Sequence, residues 1–449
     1  MAFQRRRYYT WLFKAYFRRW KKTILGAIVV GIFVSLGLIS LTVFYLAPLL
    51  SDNELRIGYW GVYRVEDIPE EIINDISMGL VITAPDGKII PGAAERWEIK
   101  GDREYTFYLK KNLKFHNGRK FTSKTVPFNF ENVKKEIIDD FTIKFTLKDP
   151  YSPFLTAVAQ PILLKDLSGL GDFKIKDIDL NAQFVKSIKI QEVSPPHGKK
   201  YITFYPTHEA LKVAFSLGEI NIAEGLPSVL LDNKYDLKKW PEVSIKEKLN
   251  DNVIITIFYN TNDNILSDKR VRQALNYALP EDVPFGKRLY SPIKESSIYF
   301  SKPPNYGIAD KELALSILDA ADDINEKISI KVSHDLREVA EMVRLNWKDV
   351  GIETDIEEVR GMPQKFQVLI FEMKIPKDPD QYILWHSDQK SNIVGYKNLR
   401  IDKLIEDGRS IADTGKRQEI YADFQKYLMD DVPATFLFHP KTYQIIKGN

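Results

Sequence analysis

The stretch Thr23–Leu50 (TILGAIVVGIFVSLGLISLTVFYLAPLL) runs for 28 residues without a charged side chain. A helix rises ~1.5 Å per residue, so about 20 such residues cross a ~30 Å hydrocarbon core. A soluble helix of this length normally keeps a charged face, and this one has none. The stretch is therefore expected to form a single N-terminal transmembrane helix. Residues 1–22 carry eight basic side chains (Arg5, Arg6, Arg7, Lys14, Arg18, Arg19, Lys21, Lys22) and no acid, whereas Asp52 and Glu54 follow the run. The positive-inside rule then puts the N-terminus in the cytoplasm and the chain beyond residue 52 outside. A cleavable signal peptide would have ~7–15 apolar residues and a small-x-small site. Here Leu46-Ala47 is the one loose approximation, and Pro48 follows it. The reading is an uncleaved signal anchor. Residues 3–20, aromatic and basic by turns, either lie along the inner leaflet or form a basic tail.

The overall charge of +3 belongs to that tail, because the residues after 22 carry a net −5. No basic patch is expected in the folded body, and with it no nucleic-acid partner. The chain has no cysteine, which excludes disulfides, thiolate nucleophiles, Cys-ligated zinc and iron–sulfur clusters. It also excludes a lipid anchor on cysteine, leaving the apolar helix as the tether. None of the six histidines stands at i, i+4 to another, so no metal site is expected. Gly-x-Ser-x-Gly, His-Glu-x-x-His and a phosphate-cradling glycine loop are all missing. Neither catalytic residues nor a cofactor are expected.

Beyond residue 52 strands and helices alternate. Thr142–Leu147, Tyr201–Tyr205, Val253–Tyr259 and Phe366–Phe371 are rich in β-branched and aromatic residues. Glu338–Val350 places Val339, Met342, Val343, Trp347 and Val350 on one helical face, with Gly351 as its C-terminal stop. Arg417–Leu428 follows the capping candidates Asp413 and Thr414 and ends before Pro433. Asp268 reads as a cap for a helix containing Arg270, Arg272 and Gln273, the arginines serving packing and ion pairs. Trp97, Phe107 and Phe115 read as core, and His116 as structural. The class is α/β.

Residues 90–130 (IPGAAERWEIKGDREYTFYLKKNLKFHNGRKFTSKTVPFNF) carry Pro91, Ala94, Glu95, Trp97, Tyr105, Phe107, Leu109, Phe115, His116, Gly118, Phe121 and Thr122. They resemble the signature of the family 5 extracellular solute-binding proteins, the peptide- and nickel-binding components of ABC importers. Further blocks in the family's order are Lys148–Leu155, Gly169–Lys174, Ala210–Ile222, Phe258–Ala278, Val350–Ile356, Asp378-Pro379-Asp380 and Gly395 through Phe438. The resemblance implies a two-lobed, class II periplasmic-binding-protein-like fold with mixed sheets. It divides the chain into a cytoplasmic segment (1–22), the anchor (23–50), a first lobe (51–250) with an inserted small lobe (about 85–175), a second lobe (251–425) and a C-terminal return (426–449).

The implied function is capture of a small ligand, oligopeptide-like or other, between the lobes of a monomer that serves an ABC permease from the outer face of the cell membrane. The alternative is a transport-inactive tethered sensor or envelope scaffold on the same fold. Candidate ligand-binding residues are Tyr259, Asn260, Glu372, Asp378, Tyr382, Trp385 and Tyr396. Tyr259-Asn260 ends an apolar strand at the expected interface, although an Asx turn fits the same residues. Peptide binders of the family usually set a carboxylate three residues before the Asp-Pro-x unit, to pair with the ligand's ammonium. Ile375 stands there and cannot neutralise a buried cation. Glu372 is the substitute within reach, or else a solvated edge residue. Two further departures are a short Asn132–Phe141 excursion and Pro280, where the family more often has an acid.

Overall fold

The computed structural model describes residues 54–448 except 196, 232–234, 303–307, 322–323 and 325, together with positions 11, 14, 16–22, 26, 30–32 and 34–35. The chain forms two units, Met1–Glu54 and Leu55–Asn449. In the first, every described position from 11 to 35 is helical, and Trp11, Tyr16, Trp20, Val30, Ile32 and Val34 are exposed. Among the described residues no helix is long and apolar enough to cross a membrane. Most of 23–50 lies outside the described residues, and the expected transmembrane helix with it.

The second unit has two lobes. The first contains, in chain order, β1 (Glu54–Trp60), α1 (Glu70–Ile76) and the inserted strands β2 (Ala94–Lys100), β3 (Glu104–Leu109), β4 (Val133–Asp139) and β5 (Thr142–Leu147). It continues with β6 (Phe173–Asn181), β7 (Phe184–Glu192), β8 (Lys199–Tyr205), α2 (His208–Leu217), β9 (Ile222–Leu226) and β10 (Val243–Leu249). The second lobe opens with β11 (Val253–Tyr259), α3 (Lys269–Tyr277), β12 (Asp282–Val283), β13 (Gly286–Arg288), α4 (Lys311–Asp319) and β14 (Ile328–Ser333). It closes with α5 (Arg337–Lys348), β15 (Thr354–Val359), β16 (Val368–Lys374), α6 (Tyr382–Trp385), α7 (Leu399–Ser410) and α8 (Thr414–Asp431). The last strand, β17 (Ala434–Lys447), belongs to both lobes.

Sequence pattern explains the layering. In β3 and β5 buried and half-buried residues alternate strictly, as expected for a sheet wet on one face. Tyr105, Phe107, Leu109, Ile143, Phe145 and Leu147 build the core of the inserted sheet β2-β3-β5-β4. By contrast β11 (VIITIFY) is apolar throughout and covered on both faces. Ile255, Ile257 and Tyr259 point into one cluster with α3 and α5, while Ile254 and Phe258 point into another with α7 and α8. Full burial of each such side chain is worth about 1.5–3 kcal/mol.

The helix ends follow local rules. Asp268 and Asp413 accept hydrogen bonds from the backbone amides of Arg270 and Lys416 at 2.8 and 2.9 Å, capping α3 and α8. Gly351 sits at φ 85°. The amides of Ile352 and Gly351 return to the carbonyls of Trp347 and Lys348, each at 2.9 Å, which is the Schellman closure that favours glycine. The sequence places the strand after this helix at 366–371, whereas β16 covers Val368–Lys374. It follows β11 residue by residue from Tyr259↔Val368 to Val253↔Lys374.

Among the described residues two segments cross between the lobe sheets. β17 pairs through Ala434–Phe438 with β11 and through Lys441–Lys447 with β10, so the chain returns to the first lobe at His439-Pro440. That is later than the boundary at 426 expected from sequence, because α8 still packs in the second lobe's core. The other crossing is Asn250-Asp251-Asn252, between β10 and β11. The Asn250 amide donates to Pro440 O at 2.9 Å, Lys294 Nζ donates to Asn252 Oδ1 at 2.7 Å, and His439 Nδ1 bonds Val253 O at 2.7 Å. Burial holds the His439 ring below its ordinary value of 6.5, although the bond to Val253 opposes this. The folded ring thus takes up a proton less readily than the unfolded ring, which does so below about pH 6.5, so its contribution to stability is present above that pH and lost as pH falls. Between pH 7 and pH 5 the melting temperature of the protein should fall more steeply than that of His439→Gln. Parallel curves would show that the ring is not held neutral.

Candidate functional site

Strand direction decides which groups meet across the gap between the lobes. β16 runs antiparallel to β11 and ends beside the hinge, since Lys374 pairs with Val253. β14 lies parallel to β16, with Val332 opposite Ile370, so the turn after it brings Asp335 to the same rim. In the first lobe β1 and β9 are parallel. Leu226, the end of β9, pairs with Tyr443 on the hinge side of β17. Four carboxyl ends of parallel strands therefore face each other, the position where open α/β sheets bind ligands.

The first-lobe wall carries Trp60, whose Nε1 donates to Gly225 O at 2.9 Å. Its ring lies against His208 at 4.0 Å. The buried His208 Nε2 has no hydrogen-bond partner among the described residues. Burial lowers the pKa of this ring while Asp335 of the opposite lobe raises it. Behind Trp60, the Tyr59 hydroxyl is pushed well up by burial and by Glu224, Glu71 and Asp75. Burial also raises the Glu224 carboxyl, despite Gln444 and Lys248 beside it. From the second lobe, Glu372 is raised by the surrounding protein and then by Asp335. Its side chain remains open to solvent. Lys377 forms an ion pair with Glu70 of α1, yet burial still pulls its ammonium down. The rim is acid-rich and flanked by an aromatic pair, a combination that suits a ligand with a cationic end and an apolar body. Among the described residues no group of three or more His, Cys, Asp or Glu side chains is placed to hold a metal ion.

Of the residues expected to bind ligand, Glu372 stands at this rim. Tyr259 and Asn260 lie at the far end of β11, seven residues and about 20 Å from the hinge at ~3.3 Å per residue. The Tyr259 hydroxyl bonds Thr435 Oγ1 at 2.9 Å, and Asn260 Oδ1 accepts from the Asn262 amide at 3.1 Å in an Asx turn. Tyr396 hydrogen-bonds Asp431 near the end of α8 at 2.5 Å. Trp385 is 2% exposed and donates to Gln381 Oε1 at 2.7 Å. Asp378 binds Arg417 through two bonds, at 2.6 and 3.2 Å. Burial alone would lower the Arg417 pKa, and Asp378 more than reverses it. Tyr382 stacks under Arg409, 4.1 Å away, and Arg409 pairs with Asp380 at 3.1 Å.

Those last groups join the second lobe to the inserted one. Ser152 donates its amide to Arg409 O at 2.7 Å, the Ala412 amide reaches Asp102 Oδ1 at 3.2 Å, and Arg409 covers the Tyr151 ring at 5.2 Å. Sequence reasoning missed Trp60, His208, Asp335 and Lys377. Each stands at or just past a strand end or a helix cap, and the signal that would have found them is the parallel direction of the strands.

Two α/β lobes linked by two strands, with parallel-strand ends opposed across the link, define a bilobal binding protein. The family model described as bacterial extracellular solute-binding proteins, family 5 Middle, matches residues 88–393. The oligopeptide-binding protein AppA of Bacillus subtilis is 23% identical, over 87% of this chain and 85% of its own length. Among solved structures, the ABC transporter substrate-binding protein CtaP of Listeria monocytogenes superposes with a TM-score of 0.75 at 22% identity, covering 88% of this chain and 94% of that one. NikZ of Campylobacter jejuni, in complex with Ni(L-His), gives 0.71 at 20% identity, covering 89% and 94%. The chain belongs to the family 5 bacterial extracellular solute-binding proteins.

Removing one partner of a buried pair leaves the other charge uncompensated, at about 3–5 kcal/mol. Asp378→Ala should therefore lower unfolding stability by that amount in a denaturant titration, whereas Glu372→Gln should change it by less than about 0.5 kcal/mol. Equal effects of the two substitutions would contradict the division between structural and rim residues.

Proposed function

We propose that this protein captures a small solute with a cationic end between its lobes and delivers it to an ABC-type permease. Residues 23–50 would tether it to the outer face of the membrane and no chemistry would be performed on the cargo. The observation that carries this reading is the opposition of parallel-strand ends across a two-strand hinge. Closure then needs only rotation at Asn250–Asn252 and His439-Pro440, and a ligand favours the closed state to the extent that it binds both walls at once. Relatives described as oligopeptide-binding and a structural neighbour holding Ni(L-His) support peptides or small chelates as the cargo class. Ile375 packs against the apolar cluster of the second lobe, so the ammonium of a peptide would be met by Glu372 and Asp335 instead. The working unit is a monomer.

The test is calorimetric titration of the full chain, in detergent micelles, with a pool of tri- to pentapeptides. Saturable binding is expected, weakened about tenfold or more (~1.4 kcal/mol) by Glu372→Gln with Asp335→Asn. N-acetylation of the peptides should cost a similar factor. Absence of binding from peptides and from nickel–histidine alike would overturn the reading.

A further inference from the structure

The second lobe holds a cavity of about 640 Å³ that is separate from the opposed strand ends, lined by β12, β13 and the residues that follow. Its volume lies within the ~300–1,000 Å³ range of small-molecule sites. Val283, Tyr290 and Phe300 supply apolar and aromatic wall, and Lys302 stands on the wall as well. Arg288, also in the wall, is 5% exposed.

The guanidinium of Arg288 lies 5.7 Å from the centre of the Tyr290 ring but has few hydrogen-bond acceptors. Nη2 donates to Asn276 Oδ1 at 3.2 Å, an oxygen that also accepts from Thr435 Oγ1 at 2.9 Å. Nε and Nη1 are buried and have no hydrogen-bond partner among the described residues. No carboxylate forms an ion pair with it among the described residues. The nearest candidate in the wall, Glu281, accepts from the Tyr290 hydroxyl and from the Ala309 amide at 2.9 Å, while Glu295 is taken by Lys287 at 2.5 Å. A buried cation left this way costs several kcal/mol, and proteins normally supply an anion or a set of carbonyls. This fold does so for its other buried arginines. Arg417 has Asp378, and Arg272 donates to the carbonyls of Leu266, Ser267, Asp431 and Val432.

We propose that the cavity behind β13 is a second ligand site, in which Arg288 binds the carboxylate of a small aromatic acid whose ring lies against Val283, Tyr290 and Phe300. The site is independent of the cargo reading, because none of these residues belongs to the rim between the lobes. Carboxylate is favoured over a bare inorganic anion because charge and an apolar body are both accommodated, and a charge-assisted bond to guanidinium is about twice as strong as a neutral one.

The probe is benzoate, titrated into the full chain in detergent micelles and followed by calorimetry, with benzamide as its uncharged counterpart. Saturable benzoate binding is expected, with benzamide and Arg288→Met each weaker by about tenfold or more. Lys302→Glu, a surface change that spares the core, should weaken benzoate by a smaller factor. Glu372→Gln with Asp335→Asn should leave benzoate binding unchanged, which separates this site from the cleft. No saturation by about 20 mM benzoate, equal binding of benzamide, or full binding by both Arg288→Met and Lys302→Glu would each overturn the proposal.

Discussion

One strand, β17, is hydrogen-bonded into the sheets of both lobes, and the geometry of the site follows from its direction. Its first half fixes β11 in the second lobe, and its last half fixes β10 and β9 in the first. Antiparallel pairing of β16 to β11 then sends the end of β16 back to the crossing point. A hydrogen-bonded ladder cannot slip by one residue without turning every side chain to the opposite face. The apolar, doubly covered β11 makes that slip very costly. The rim is therefore placed by the backbone, independently of the side chains it carries.

Charge is used in two ways across the second lobe. Where carboxylates are buried and paired, as Asp378 is with Arg417, they fasten elements together. Two hydrogen bonds and 5% exposure of the arginine side chain mark a contact that is costly to break. Where a carboxylate stands at the rim, as Glu372 does, partial desolvation by the surrounding protein and the repulsion of Asp335 raise the pKa. A cation brought beside Glu372 would relieve that repulsion, whereas a cation is already built in beside Asp378.

Much of the fold was legible in the sequence because its signals are local. Richness in β-branched and aromatic residues identified β5 and β11, and Asp413 and Gly351 announced the ends of their helices. The resemblance of residues 90–130 to the family pattern gave the two-lobed plan. The site was less legible, since a strand's sequence does not say which end faces a partner. Tyr259-Asn260 looked like an interface because an apolar strand ended there, but that strand runs away from the hinge. Trp385 and Tyr396 are large aromatics in the right blocks, and their polar atoms are spent on Gln381 and Asp431. Glu372 was a candidate by charge need alone, once Ile375 had removed the usual carboxylate, and the structure sets it at the rim.

Three arginines are buried among the described residues, Arg272, Arg288 and Arg417, and sequence treats them alike. Arg272 closes the end of α8 by binding its last carbonyls, where a helix concentrates partial negative charge. Arg417 has a carboxylate. Arg288 has neither, although β13 pairs with the hinge strand and holds its backbone as firmly as the other two. Folding forces alone would replace such a residue with an apolar one of similar volume, because an unpaired buried cation destabilises the native state. Its place in the wall of a cavity of ligand size, on a strand that pairs with Phe438–Pro440 of β17, is what a binding requirement would produce.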